Sequence, residues 1–251
     1  MQPETKHNSA TRCGDILRKA RQQKDDVKTV EAWRIVLGDS SDMESFEVIR
    51  LVELLRSELK ATARKLSKAG VPQNIYKPHF TKAYQATAVE SVNAGWKSFK
   101  QHITNELLVC LDFSAFIIPE NEAEFDQSHI DTIAELVADL RESLEISELD
   151  SELEHFVLEQ ISLLERGLHD LQIRGSKAVQ KCYVDGLGEI LENAEVIREN
   201  SSEPVVGKIK IAWGHVQSAT EKAAKLNKSA DTWGKIIEKG ATVVDQLSKL
   251  T

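Results

Sequence analysis

Residues 204–250 read PVVGKIKIAWGHVQSATEKAAKLNKSADTWGKIIEKGATVVDQLSKL, and apolar or small side chains recur here at alternating spacings of four and three. This period is typical of an α-helix that packs one face against other helices. It predicts one helix about 70 Å long at 1.5 Å per residue, with a hairpin turning at 227–229 as the alternative. The residues of this face, called the seam below, are Val205, Ile209, Ala212, Val216, Ala219, Ala223, Leu226, Ala230, Trp233, Ile237, Gly240, Val244 and Leu247.

The seam is built mainly from Ala, Val and Gly, so another helix can approach it closely. Each interior glycine, however, costs about 1 kcal/mol of helix propensity. A helix with several of them is marginal by itself, so the stretch predicts packing against the rest of the chain, another subunit or a lipid surface. Trp213 and Trp233 do not share one line on this helix, and we interpret both as packing residues rather than a membrane anchor.

The same kind of apolar period predicts helices along most of the chain before residue 204. A capping box at Ser41 and Glu44, with Gly70 and Pro72 at the far end, marks one of them well. We place Pro78 in the first turn of another. The predicted helices span about 11–23, 27–37, 43–69, 96–118, 128–145, 150–173 and 177–199, beside the one that begins near Pro78.

These helices predict an all-α protein, a helical bundle with a long amphipathic C-terminal helix or helical hairpin. We divide the chain into a polar segment with a short helix at 1–26, a helical bundle at 27–203 and the heptad-patterned C-terminal helix at 204–251. An acidic loop at 120–127 is a candidate subdomain boundary within the bundle.

Composition indicates a globular chain of 251 residues with 41% apolar residues. The polar N-terminus lacks the pattern of an export signal, and no stretch is apolar enough to span a bilayer. Three widely spaced cysteines suit reduced thiols better than disulfides. We therefore expect a cytoplasmic protein.

Charge is distributed unevenly along the chain. Residues 1–119 hold 18 basic and 14 acidic side chains, residues 120–203 hold 6 and 22, and residues 204–251 hold 8 and 4. The acidic middle repels nucleic acid and favours basic partners, among them the chain's own ends. Nucleic acid is therefore a disfavoured partner.

Patterns that carry catalysis or metal binding are missing from the sequence. Glu152 and His155 form half of a di-iron ExxH motif without a second half, and Arg166 lies too close to His169 for a helical ribonuclease of the HEPN type. No phosphate loop, nucleophile elbow or dinucleotide fingerprint is present. The sequence predicts no catalytic residue, no cofactor and no metal, and an enzyme is the less favoured class.

Three features carry a resemblance: the layout of Trp33 to Gly38 before a long helix, the LQIRG junction at Leu171–Gly175, and the small-residue amphipathic tail. Together they resemble a loose group of uncharacterised bacterial all-helical proteins from mobile-element or phage-defence gene clusters. The resemblance implies partner binding or a toxic output and assigns no residue a role.

Two hypotheses follow. The first is a non-enzymatic interaction protein whose C-terminal helix mediates self-association or binds another protein through the seam. The second is a membrane-active toxic effector, whose basic tail is held by the acidic middle and released onto an anionic membrane surface.

Overall fold

The computed structural model of the protein describes residues 6–38, 43–89, 93–120, 122, 127–146 and 148–226, with side chains through Glu221. Within this part of the chain there are eleven helices and no strand, which confirms the predicted all-α class. The helices are α1 Ser9–Gln22, α2 Thr29–Leu37, α3 Ser45–Lys68, α4 Gln73–Ala86, α5 Lys97–Lys100, α6 Asn105–Ile117, α7 Gln127–Ile146, α8 Ser151–Arg174, α9 Ser176–Glu192, α10 Ala194–Glu199 and α11 Pro204–Leu226.

The helices form two compact units. Unit 1 consists of Met1–Glu122 together with Gln172–Gly175, and unit 2 consists of Ala123–Leu171 together with Ser176–Thr251. The chain thus leaves unit 1 within the acidic loop that we predicted as a subdomain boundary, and it returns briefly at the end of α8. The three-part division into 1–26, 27–203 and 204–251 stays a prediction.

The core of unit 1 is built around two tryptophans. Trp33 of α2 and Trp96, which precedes α5, meet edge to face with their ring centroids 5.3 Å apart. The Trp96 indole N–H donates to the carbonyl oxygen of Ala20 at 3.2 Å, so its polar atom is satisfied inside the core. The apolar faces of α1, α3, α4 and α6 complete this cluster.

The turn between α3 and α4 follows the predicted signals at its start. Gly70 has a φ of +79°, and Val71 donates to the carbonyl of Leu66, which is the Schellman ending of a helix. The prediction for Pro78 was wrong, because α4 begins at Gln73 and contains Pro78 in its second turn. Only the carbonyl of Asn74 loses its helical partner there, and Asn74 is exposed to water.

Two predicted helices are interrupted in the structure. The apolar period from Trp96 to Ile118 belongs to α5 and α6, since the Thr104 side chain accepts from the Leu107 N–H and starts a new helix. The predicted helix 177–199 likewise divides at Asn193 into α9 and α10. The apolar period continues across both breaks because Trp96 and Ile103, on either side of α5, are buried in the same core as α6, and Ile197 of α10 is buried in the same core as α9.

Unit 2 packs α7, α8, α9 and α11 around one apolar cluster. The Asp150 carboxylate accepts from the first N–H groups of α8 and starts that helix as its N-cap. Arg141 of α7 makes a two-pronged hydrogen bond to Glu165 of α8, with both distances at 2.8 Å. Nearer the start of α7, Ile130 borders the same small cavity as Leu171 near the end of α8, so the two helices are antiparallel neighbours. None of the described helices is long and apolar enough to cross a membrane.

Candidate functional site

The seam is the surface that the sequence singled out, and its first part lies in the core of unit 2. Five seam residues have described side chains, and each is at most 3% exposed. They are Val205, Ile209, Ala212, Val216 and Ala219. The backbones of Ala223 and Leu226 belong to α11, and the remaining seam residues from Ala230 to Leu247 lie outside the described residues, as does the choice between one helix and a hairpin.

Trp213 shows why α11 comes so close to its neighbours. Its ring is 1% exposed, and its indole N–H donates to the Gln160 side-chain oxygen at 2.9 Å. The ring lies against Gly186 of α9 so closely that a Cβ at that glycine would fall 1.9 Å from a ring carbon. The interpretation of Trp213 as a packing residue is therefore confirmed, and Trp233 is among the residues that the structure does not describe.

Contacts at two points set the register of α11 on α7. The Lys208 ammonium donates to the Ser143 hydroxyl at 2.9 Å and to the Asp139 carbonyl at 3.4 Å. Farther along α11, Ala219 borders the same small cavity as Ile130 of α7. The helices are thus antiparallel, and because both advance 1.5 Å per residue, the first residue of α7 lies opposite about residue 222.

The register between α9 and α11 gives nearly the same position on α11. Gly186 faces Trp213, while Cys182, one turn earlier in α9, borders the cavity together with Val216. α9 is therefore antiparallel to α11 as well. Its first residue, Ser176, lies opposite about residue 223 of α11 at the same rise per residue.

The third neighbour, α8, is parallel to α11. Gln160 lies beside Trp213, so Leu171, the last residue of α8 that belongs to unit 2, falls opposite about residue 224. Within unit 2, all three helices that flank α11 thus end within a few residues of one another.

The cavity that these helices share is too small and too apolar to hold a ligand. Its volume is about 20 Å³, close to the space of one water molecule, and apolar side chains form nearly all of its wall. Burial raises the pKa of the Cys182 thiol at its edge to about 12, with Asp185 and Asp170 adding to the shift. The thiol is therefore protonated and unreactive at neutral pH.

The LQIRG junction carried part of the resemblance, and its last four residues, Gln172–Gly175, belong to unit 1. Arg12 of α1 donates to the Ile173 carbonyl at 3.0 Å and to the Glu122 carboxylate at 2.7 Å. Gly175 has a φ of +60°, and a Cβ there would meet Arg12 and Glu122 at under 3 Å. Arg174 lies 3.9 Å from the Glu58 carboxylate. Arg174 of the junction thus lies near the carboxylate of Glu58, which belongs to the same unit.

Sequence reasoning missed this buried ion pair, since Arg12 and Glu122 are 110 residues apart. No local spacing relates them. The predicted half-motif of Glu152 and His155 is used differently, because His155 faces Glu159 one turn later at 3.3 Å on an exposed surface. Among the described residues, no group of three or more His, Cys, Asp or Glu side chains is arranged to hold a metal ion.

Comparison with known proteins adds no further assignment. No family model matches the chain, and neither a curated protein nor a solved structure matches it. The geometry described above is therefore the basis for any statement about function.

Proposed function

We propose that the protein is a non-enzymatic interaction protein that binds a second copy of itself through residues 230–247. The observation that supports this is the register of α11. Within unit 2 the flanking helices α7, α8 and α9 reach no farther along α11 than about residues 222, 224 and 223, whereas the seam pattern in the sequence continues for six more seam residues.

The later part of the seam, from Ala230 to Leu247, contains large apolar side chains. They are Trp233, Ile237, Val244 and Leu247. Burying a side chain of this size against a partner is worth about 1.5–3 kcal/mol relative to leaving it in water. A partner helix would supply that burial and offset the helix-propensity cost of Gly234 and Gly240.

The charge pattern of this stretch suits a second copy. Positions that flank a seam usually carry the charges that select one partner over another. Here they are small or apolar, at Gly234, Ile236, Ala241 and Val243. Two copies of the stretch would therefore meet without like charges at their boundary, and a broad apolar face of this kind also suits a bundle of more than two helices.

Light scattering coupled to size-exclusion chromatography tests the proposal on the full chain. We expect an oligomer that the Ile237→Asp substitution converts to a monomer, because the substitution places a carboxylate in the seam. Thr242→Asp is the matched control, with the same change of charge on the opposite face of the predicted helix, and we expect it to keep the oligomer.

A truncated variant that ends at Leu226 provides a second test of the proposal. It retains every seam residue that the structure buries in unit 2, so its helix content and thermal unfolding should remain those of a folded protein. We expect it to be monomeric. A full-length protein that is already monomeric at micromolar concentration would contradict self-association.

The resemblance noted from the sequence extends this proposal to a partner-binding component of a bacterial multi-gene system, such as a phage-defence cluster. A different protein would then occupy the same seam. The membrane-active alternative stays a prediction, and binding of the full chain to anionic liposomes, compared between the native sequence and Ile237→Asp, tests it separately.

A further inference from the structure

A row of apolar side chains, called the α6 stripe below, lies exposed on the surface of unit 1. Val109 is 64% exposed, Phe113 60% and Phe116 49%. Their spacings of four and three residues place them on one face of α6, along about 10 Å of its length at 1.5 Å per residue. The opposite face carries Leu107 and Leu111, which are fully buried in the core of unit 1. This helix is therefore apolar on both faces.

The exposure of the α6 stripe is unusual for a helix of this composition. A helix that is apolar on all sides is ordinarily enclosed by other protein or by lipid. Two neighbouring phenylalanines in water also differ from the single apolar side chains that every soluble protein exposes. The exposed area of the stripe is roughly 300 Å² per chain, if a whole phenylalanine side chain counts as about 200 Å². The stripe is thus large enough to be the centre of a contact.

The two ends of the α6 stripe carry opposite charges. Glu106, in the first turn of α6, is exposed, and a hydrogen bond from the Thr104 hydroxyl holds the pKa of its carboxyl below the usual value. At the other end, the Lys6 ammonium donates to the carbonyl oxygens of Phe116 at 2.9 Å and Ile118 at 3.3 Å. The first end is therefore negative at neutral pH, and the second end is positive.

One antiparallel register of two α6 helices matches both the apolar and the charged positions. If Val109 lies opposite Phe116 of a second copy, the two-fold axis passes through the middle of the stripe. The equal rise of both helices then places Glu106 opposite position 119 of the second copy, beside the carbonyl oxygens that bind its Lys6. A register chosen from the apolar side chains alone thus brings opposite charges together at both ends.

We propose that the α6 stripe binds the α6 stripe of a second copy of the chain, with the two helices antiparallel. A second copy has the required charges at the required positions by symmetry, because each contact of a two-fold interface occurs twice. An anionic lipid surface suits the stripe less well, since Glu106 would face headgroups of its own sign.

The α6 contact is weak by itself. Two stripes bury roughly 600 Å² of apolar area, about half of the roughly 1,200 Å² at which stable interfaces begin. Ion pairs at the exposed ends of the stripe add little to the affinity. We therefore expect a dissociation constant on the order of 100 µM or more. The contact forms few dimers at micromolar concentration, so it does not disturb the measurements that test the seam.

The α6 stripe and the seam are separate surfaces, so either proposal can fail without the other. If both hold, one chain carries two self-complementary faces, and copies joined by their seams are linked further through α6. This consequence rests on the proposed function, whereas the α6 contact does not. The native chain should then form assemblies larger than the seam oligomer when its concentration reaches several hundred micromolar.

Sedimentation equilibrium of the full-length protein up to about 1 mM measures the α6 contact. The Ile237→Asp chain, in which the seam is disrupted, should show a monomer–dimer equilibrium. Adding Phe113→Asp should weaken this dimer at least about tenfold, because a carboxylate then lies near the two-fold axis. Adding Phe46→Asp is the matched control, since Phe46 is 67% exposed at the start of α3, and it should change the dimer less than about twofold. Circular dichroism confirms that each variant is folded.

Glu106→Lys tests the antiparallel register, because it sets two cations against each other at both ends of the stripe. It should weaken the dimer about threefold or more at low salt, and less at high salt. Three results would overturn the proposal: no dimer up to about 1 mM, equal weakening by Phe113→Asp and Phe46→Asp, or no weakening by Glu106→Lys. The first assigns the stripe to another occupant, the second shows unspecific apolar association, and the third removes the charge match.

Discussion

The interiors of the two units are held together by different interactions. Unit 1 encloses charge: the Arg12–Glu122 pair joins α1 to the loop after α6, and burial raises the pKa of the nearby Cys13 thiol to about 12, with the charge of Glu58 adding to the shift. Unit 2 instead brings a tryptophan ring directly onto a glycine. The first interior should respond mainly to a change of charge, and the second mainly to a change of volume.

The largest expected effect is the loss of the ring in unit 2. Trp213→Ala should lower the free energy of unfolding of unit 2 by about 4 kcal/mol, since it leaves a large cavity beside Gly186 and removes the partner of Gln160. Hydrogen exchange followed by mass spectrometry measures this for peptides of each unit separately. Equal loss of protection in peptides of unit 1 would contradict the comparison.

Removal of one charge from unit 1 should have the next largest effect. Arg12→Met keeps much of the apolar stem but leaves the Glu122 carboxylate, whose side chain is 6% exposed, without its cation. We expect a loss of about 3 kcal/mol in the stability of unit 1. Adding Glu122→Gln to Arg12→Met should recover part of this loss in urea unfolding. A double variant less stable than Arg12→Met would contradict this explanation, because removal of the unpaired charge would then have recovered nothing.

Two glycines in α9 provide the sharpest test of volume. Gly186→Ala should cost about 2 kcal/mol, because the new methyl group overlaps the Trp213 ring and forces it to move. Gly188→Ala is the matched control two residues later, where no neighbouring atom lies within 4 Å of the added Cβ. It should raise the stability of unit 2 by up to about 1 kcal/mol through helix propensity alone. Thermal unfolding of the pair measures both, and effects of the same sign would contradict close packing at Gly186.

The helices were predictable because their apolar residues repeat with the helical period and all of them face a core. Thr104 and Asn193 were missed as boundaries for the same reason, since the apolar period continues across them. The Thr104 side chain caps α6, whereas Asn193 donates from its side chain to the carbonyl of Glu189 at the end of α9. Pro78 was misplaced because a proline removes only one backbone N–H from a helix, so α4 could begin a full turn before it.

The candidate sites also differ in whether the sequence alone could reveal them. The seam is a property of one stretch of sequence and could be found from its spacing, whereas the positions of its first five residues in the core of unit 2 are known only from the structure. The ion pair of Arg12 and Glu122 depends on the tertiary fold to an even greater degree.

The return of Gln172–Gly175 to unit 1 has a consequence for the order in which the chain is made. A ribosome completes Glu122 and must then synthesise roughly fifty residues of the other unit before Ile173 and Arg174 are made, which takes about 3–10 seconds at about 5–20 residues per second. During that interval Arg12 and Glu58 lack these partners on the nascent chain. Unit 1 therefore reaches its final state only after most of α8 has been translated, and the two units cannot mature strictly one after the other.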